Sequence, residues 1–181
     1  MNIAETYASL GRMLDYPVGK EGLTKDAAVV SAFLEEQGLQ CAIASFAAFV
    51  AASPLAAVQE QYVATFDFNP VTAPYLGHHL FGDNQQKGGY MIGLKQEYLR
   101  QGFTPTGNEL PDHLPMVLAF LAHLARDTRN KTRQPFIAES VLPGLERLCK
   151  VFADRRDCPW KPLVDAMRLL CAADGKEVTP C

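Results

Sequence analysis

The residues best able to do chemistry stand together in Asn108-Glu109-Leu110-Pro111-Asp112-His113-Leu114-Pro115, directly before the apolar run Met116-Val117-Leu118-Ala119-Phe120-Leu121. Two carboxylates and an imidazole packed this closely could serve acid–base catalysis, hold a metal, cap a helix or capture a ligand. Asp112 is placed to cap the helix that the apolar run opens, its carboxylate accepting from the free amides of the first turn. His113, Leu114 and Pro115 would then be the first helical residues, while Pro111 fixes the backbone ahead of the cap. A lone Asp-His pair at a helix start would do no more than cap and pack. Prolines on both sides of the charges go beyond what a cap needs. The segment therefore reads as a rigid acidic entrance beside apolar surface, suited to an amphipathic peptide that carries basic and apolar groups together.

A second cluster is Tyr75-Leu76-Gly77-His78-His79-Leu80-Phe81-Gly82-Asp83. By residue type alone, His78, His79, Asp83, Asp112 and His113 would suffice for a metal-dependent hydrolase, which is the competing reading. Its weakness is spacing. Adjacent histidines on a helix diverge by about 100°, and only His79 and Asp83 have the i, i+4 relation that puts two ligands on one face. No G-x-S-x-G, phosphate-binding or dinucleotide-binding glycine motif occurs, and no cysteine sits in an electropositive setting. The aromatic stripe Tyr62, Phe66, Phe68 has the spacing of core residues. Neither catalytic residues nor a resident metal or cofactor are expected.

The elements that must position these residues are helices almost throughout. Ile3, Tyr7, Leu10 and Leu14 repeat at three and four residues, with Asn2 and Glu5 placed as a capping box. Thr24 is placed to cap a second helix, and Phe46, Phe49 and Val50 mark a third. Ser53-Pro54 opens a fourth that carries Val58, Tyr62 and Phe66. Residues 67–89, rich in glycine and proline, should be mostly loop or short helical turns. Further helices follow around Met91, Leu94 and Tyr98, after Pro115, from about Pro135 and from about Pro159. The sum is an all-α, single-domain bundle of about seven or eight helices over residues 1–173, with a disordered tail over 174–181.

Composition is that of an ordinary globular protein: 48% apolar and 20% charged, with a net charge of -3. No basic cluster longer than Arg155-Arg156 invites nucleic acid. No apolar run approaches the ~20 residues that span a bilayer, and the N-terminus has no secretory pattern. Five scattered cysteines without a C-x-x-C pair read as free thiols of a cytoplasmic protein.

Taken in order, Tyr62-Val63-Ala64-Thr65-Phe66-Asp67, Tyr75-Leu76-Gly77-His78-His79, Gly82-Asp83, Gly88, Tyr98, Glu109-Leu110-Pro111-Asp112-His113-Leu114-Pro115 and Phe120-Leu121-Ala122 resemble the respiratory nitrate reductase assembly chaperones, or delta subunits. That family lies within the wider group of chaperones dedicated to molybdenum-cofactor oxidoreductases. The resemblance implies a cytoplasmic protein that is absent from the final enzyme. Its partner would be the catalytic subunit of a molybdenum oxidoreductase, bound through the N-terminal peptide and held for cofactor insertion before membrane docking. It also implies peptide-binding roles for Glu109, Asp112 and His113, with Pro111 as a rigid spacer, and a groove that includes Tyr62, Phe66, His79 and Asp83. One departure is the stretch Asn84-Gln85-Gln86-Lys87, where the nitrate reductase chaperones usually carry arginines. It leaves a related oxidoreductase open as the client.

Overall fold

The computed structural model describes residues 2–176. Helices α1 (Ile3–Met13), α2 (Lys20–Glu36), α3 (Ile43–Ala52) and α4 (Leu55–Tyr62) form the first half. A π turn (Val63–Asp67) and a 3-10 turn (Pro70–Thr72) lead to α5 (Leu76–Phe81) and α6 (Gln86–Arg100). Then come α7 (Leu114–Ala125), α8 (Arg133–Phe136), a second π turn (Ile137–Val141), α9 (Leu142–Ala153) and α10 (Lys161–Asp174). The fold class is the expected all-α one. The segment from α8 through the π turn to α9 is one continuous helical run, and α5 is the added short helix inside 67–89.

The apolar run after Pro115 becomes the central helix. Every residue of α7 except Ala119 and His123 is buried, as an all-round apolar sequence requires. It packs chiefly against α1, which packs in turn on α2; α9 packs against α10 and α5. Trp160, Phe46, Tyr62 and Phe66 form an aromatic knot, with Tyr62 and Phe66 each edge-on to the indole at 5.4 and 5.5 Å. Tyr98, Phe103, Phe120 and Phe136 form a second one around α7.

Several local expectations are corrected by side-chain competition. Asn2 does cap α1, accepting from the Ala4 amide at 2.9 Å, but Glu5 does not complete the box. Its carboxylate pairs with Arg12 at 2.8 Å, and Arg12 also forks onto the buried Asp26. Thr24 lies inside α2, donating to the Lys20 and Glu21 carbonyls, because the helix starts four residues earlier after Gly19. Helix α4 begins after Pro54 with no side-chain cap from Ser53.

Asp174, the first residue of the expected tail, is instead the last residue of α10. Its carboxylate is buried, gripped by Arg133 through Nε and Nη2 at 2.9 Å each and by the Tyr7 hydroxyl at 2.9 Å. This three-way contact ties the last helix to α1 and to the start of α8. Residues 177–181, the rest of the expected tail, lie outside the described residues, as does Cys181; the other four cysteines are free thiols. Arg133→Ala would leave the Asp174 charge buried with only a phenol partner and is expected to cost about 3 kcal/mol or more in urea denaturation. A frayed terminus would lose almost nothing.

Candidate functional site

The chain reaches α7 through an extended His113, and Asp112 does not cap that helix. The first amide of α7, on Leu114, is already taken by the Pro74 carbonyl at 2.8 Å. The Leu76 amide in turn donates to the Asp112 carbonyl at 3.1 Å, so 74–76 and 112–114 pair as a single antiparallel bridge centred on Tyr75 and His113. This pairing carries the Asp112 side chain to the start of the other helix. Its Oδ2 accepts from the Gly77 amide at 2.8 Å, which makes Asp112 the cap of α5. A Cβ on Gly77 would stand 2.8 Å from that oxygen and 3.3 Å from the Tyr90 ring, so only glycine admits the contact.

Asp112 is fully buried and its Oδ1 has no hydrogen-bond partner among the described residues. Burial pushes the carboxyl above its ordinary range, against the opposing pull of the Gly77 amide, Lys87 and His113. The expected exposed-rim role is thus corrected for this residue: its charge is spent inside. Pro111 is buried as well, and its carbonyl accepts the Tyr98 hydroxyl at 2.6 Å, which anchors the segment.

Glu109 is the carboxylate that faces outward. It is exposed, and its Oε2 accepts from the Tyr75 hydroxyl at 2.8 Å. Burial, and then the bond to Glu109, pushes that phenol up to about 12, so it stays a donor throughout the physiological range. The His113 ring lies 4.9 Å from the Tyr75 ring and is half-buried. Burial lowers its pKa despite Glu109 and Asp112 nearby, which keeps it neutral at neutral pH. Glu109 and His113 open onto a groove of about 380 Å³ between α1 and α7, together with Asp15, Met116 and Arg126. A larger groove of about 610 Å³, between α6 and α8, contains none of the candidate site residues.

The remaining candidates scatter. Tyr62 and Phe66 are 6% and 3% exposed and belong to the aromatic knot, so they support the site from beneath and line neither of these two grooves. His79 points its Nε2–H at the Ala73 carbonyl, 2.8 Å away, and its own carbonyl accepts from Arg147. Asp83 stands exposed on the turn after α5, with no hydrogen bond or ion pair to the 109–113 segment among the described residues. Among the described residues no three His, Cys, Asp or Glu side chains converge as a metal site would require, so the hydrolase reading finds no support. The sequence missed Asp15. It also gave Tyr75 and Tyr98 no individual role, although both lie in the motifs that carried the family resemblance.

The two titratable groups make opposite contributions to stability. Asp112 has its folded pKa raised, so the native state binds protons more readily there, and stability is lost as pH rises from about 4 through the raised value. His113 has its folded pKa lowered, so stability is lost as pH falls below about 6.5. Wild type should therefore gain on Asp112→Asn as the pH falls towards 4, and lose to His113→Asn between pH 7 and 5, in urea titrations at each pH. Asp112→Ala, which strands the buried Gly77 amide, should cost about 1–3 kcal/mol at neutral pH and more as the pH falls towards 4.

Residues 34–165 match the family model of the nitrate reductase delta subunit. The "Probable nitrate reductase molybdenum cofactor assembly chaperone NarJ" of Bacillus subtilis (strain 168) is 33% identical over 153 residues, covering 82% of this chain and 83% of its own. The "Nitrate reductase molybdenum cofactor assembly chaperone NarJ" of Escherichia coli (strain K12) is 39% identical over 66 residues, covering 36% of this chain and 28% of its own. A solved structure, "Crystal Structure Of A Putative Redox Enzyme Maturation Protein From Archaeoglobus Fulgidus", shares the fold at a TM-score of 0.63 and 17% identity, with 93% of each chain covered. The chain belongs to the nitrate reductase delta subunit family.

Proposed function

We propose that this chain is a dedicated assembly chaperone for a molybdenum-containing oxidoreductase, nitrate reductase in the first instance, and not itself a catalyst. It binds the N-terminal segment of the immature catalytic subunit in the cytoplasm, supports cofactor insertion and delays membrane docking until that is done. The chaperone role follows from family membership and from relatives named as nitrate reductase molybdenum cofactor assembly chaperones. No helix among the described residues is long and apolar enough to cross a membrane.

The observation that carries the peptide-binding part is Glu109. It is exposed at the mouth of the groove between α1 and α7, yet held in place by Tyr75 and by the bridge beneath it. A preorganised anion beside apolar surface favours a basic, apolar segment because little ordering remains to be done on binding. Pro111, Asp112 and Tyr98 act from below by fixing the backbone that presents it.

Glu109→Gln is expected to weaken binding of the catalytic subunit's N-terminal peptide about three- to tenfold in calorimetry and to flatten its salt dependence, with helicity unchanged. Equal affinity for the two proteins at low salt would remove Glu109 from the site.

A further inference from the structure

Tyr16, Val18, Phe68, Val71 and Leu110 are exposed large apolar side chains that fall on three connecting segments, whereas Ile92 and Leu99 lie on α6. Val18 is 89% and Phe68 83% exposed, values that an ordinary loop has no need to reach. The three segments meet over Tyr62. Its hydroxyl donates to the Leu14 carbonyl at 2.9 Å, and its ring stands perpendicular to Tyr16 at 5.6 Å. Asp67, Asp15, Tyr75 and Glu109 are all close enough to act on that hydroxyl electrostatically.

The carboxylates of this face stand unpaired, although Arg12 and Arg126 line the adjoining α1–α7 groove beside Asp15 and Glu109. Asp15, Asp67 and Glu109 are exposed, and none has an ion-pair partner among the described residues. Asp15 also feels Glu109 as a like charge. Uncompensated carboxylates set among exposed aromatic and branched side chains gain nothing for the isolated chain. A second copy is a poor occupant, because a two-fold axis would bring two acidic faces together. A segment with cationic and apolar side chains answers both deficits at once.

We propose that this three-loop face is where the client segment docks, its cationic side chains over Asp15, Asp67 and Glu109 and its apolar ones over Phe68, Val71 and Val18. The proposal rests on the chaperone reading above and deepens it. It moves the centre of recognition from the α1–α7 groove to the end of the bundle and assigns it six side chains, five of them outside the family motif around Glu109. The α1–α7 groove then receives only the continuation of the segment past Glu109.

The test is fluorescence anisotropy of the labelled N-terminal peptide of the catalytic subunit, titrated with the full chain. Phe68→Ser and Val18→Ser should each weaken binding about tenfold, as loss of a central apolar contact does, and Ile92→Ser with Leu99→Ser should leave it unchanged. The double variant Asp15→Asn, Asp67→Asn should weaken binding and flatten its salt dependence, and a peptide with Lys and Arg replaced by Gln should do the same to wild type. All six substituted side chains are exposed, so circular dichroism and melting curves should match wild type. Wild-type affinity in both the apolar and the acidic variants, with Glu109→Gln still impaired, would overturn the proposal and leave the chaperone reading standing. No binding by wild type would take down both. A dimer of the free chain that Phe68→Ser dissociates, with peptide affinity unaffected, would assign the face to a second copy and also overturn the proposal.

Discussion

Asp112 carries its carboxylate into the interior to hold the amide of Gly77, and the two segments that frame the outward-facing Glu109 are locked together through that contact. Everything exposed at this end of the molecule depends on it. The bridge between Tyr75 and His113 sets the register, and the glycine leaves room for the carboxylate. The Tyr98–Pro111 bond fixes the approach to α7. A buried carboxyl with one oxygen unpartnered among the described residues is costly to the fold, and the Gly77 amide and nearby Lys87 offset only part of that cost. Keeping it makes sense if the backbone geometry it enforces is what matters.

That geometry separates two jobs that the sequence places side by side. Asp112 and Pro111 work inward, joining α5 to α7. Glu109, a few residues upstream, works outward with its carboxylate aimed by Tyr75. Beneath them Tyr62 and Phe66 belong to the aromatic core, so the surface above rests on packed side chains and not on a flexible loop. A rigid platform of this kind suits recognition of an extended, initially unstructured segment, because the ordering cost falls on the partner alone.

The all-α class and most helices were legible because their apolar positions recur with helical spacing, and α7 was legible because it is apolar on every face. What was not legible is non-local. Asp112 has every local mark of an N-cap for α7, yet the Leu114 amide was taken by Pro74, a residue forty positions earlier in rough terms. Glu5 lost its capping role to Arg12, and Thr24 lost its own because α2 begins upstream of it. The helical end at Asp174 depends on Arg133 and Tyr7, partners invisible in a sequence window. Likewise Glu109 could be picked out from its motif, but Asp15 and Asp67 join it only because three connecting segments approach the Tyr62 hydroxyl.

Hydrogen–deuterium exchange of the full chain, with and without the N-terminal peptide of the catalytic subunit, addresses the placement of the client most directly. Slowed exchange in residues 15–18, 67–71 and 108–113, with the α6–α8 groove unaffected, is the expected result. Protection confined to 86–100 and 131–140, with the loops around Glu109 exchanging as in the free protein, would contradict it.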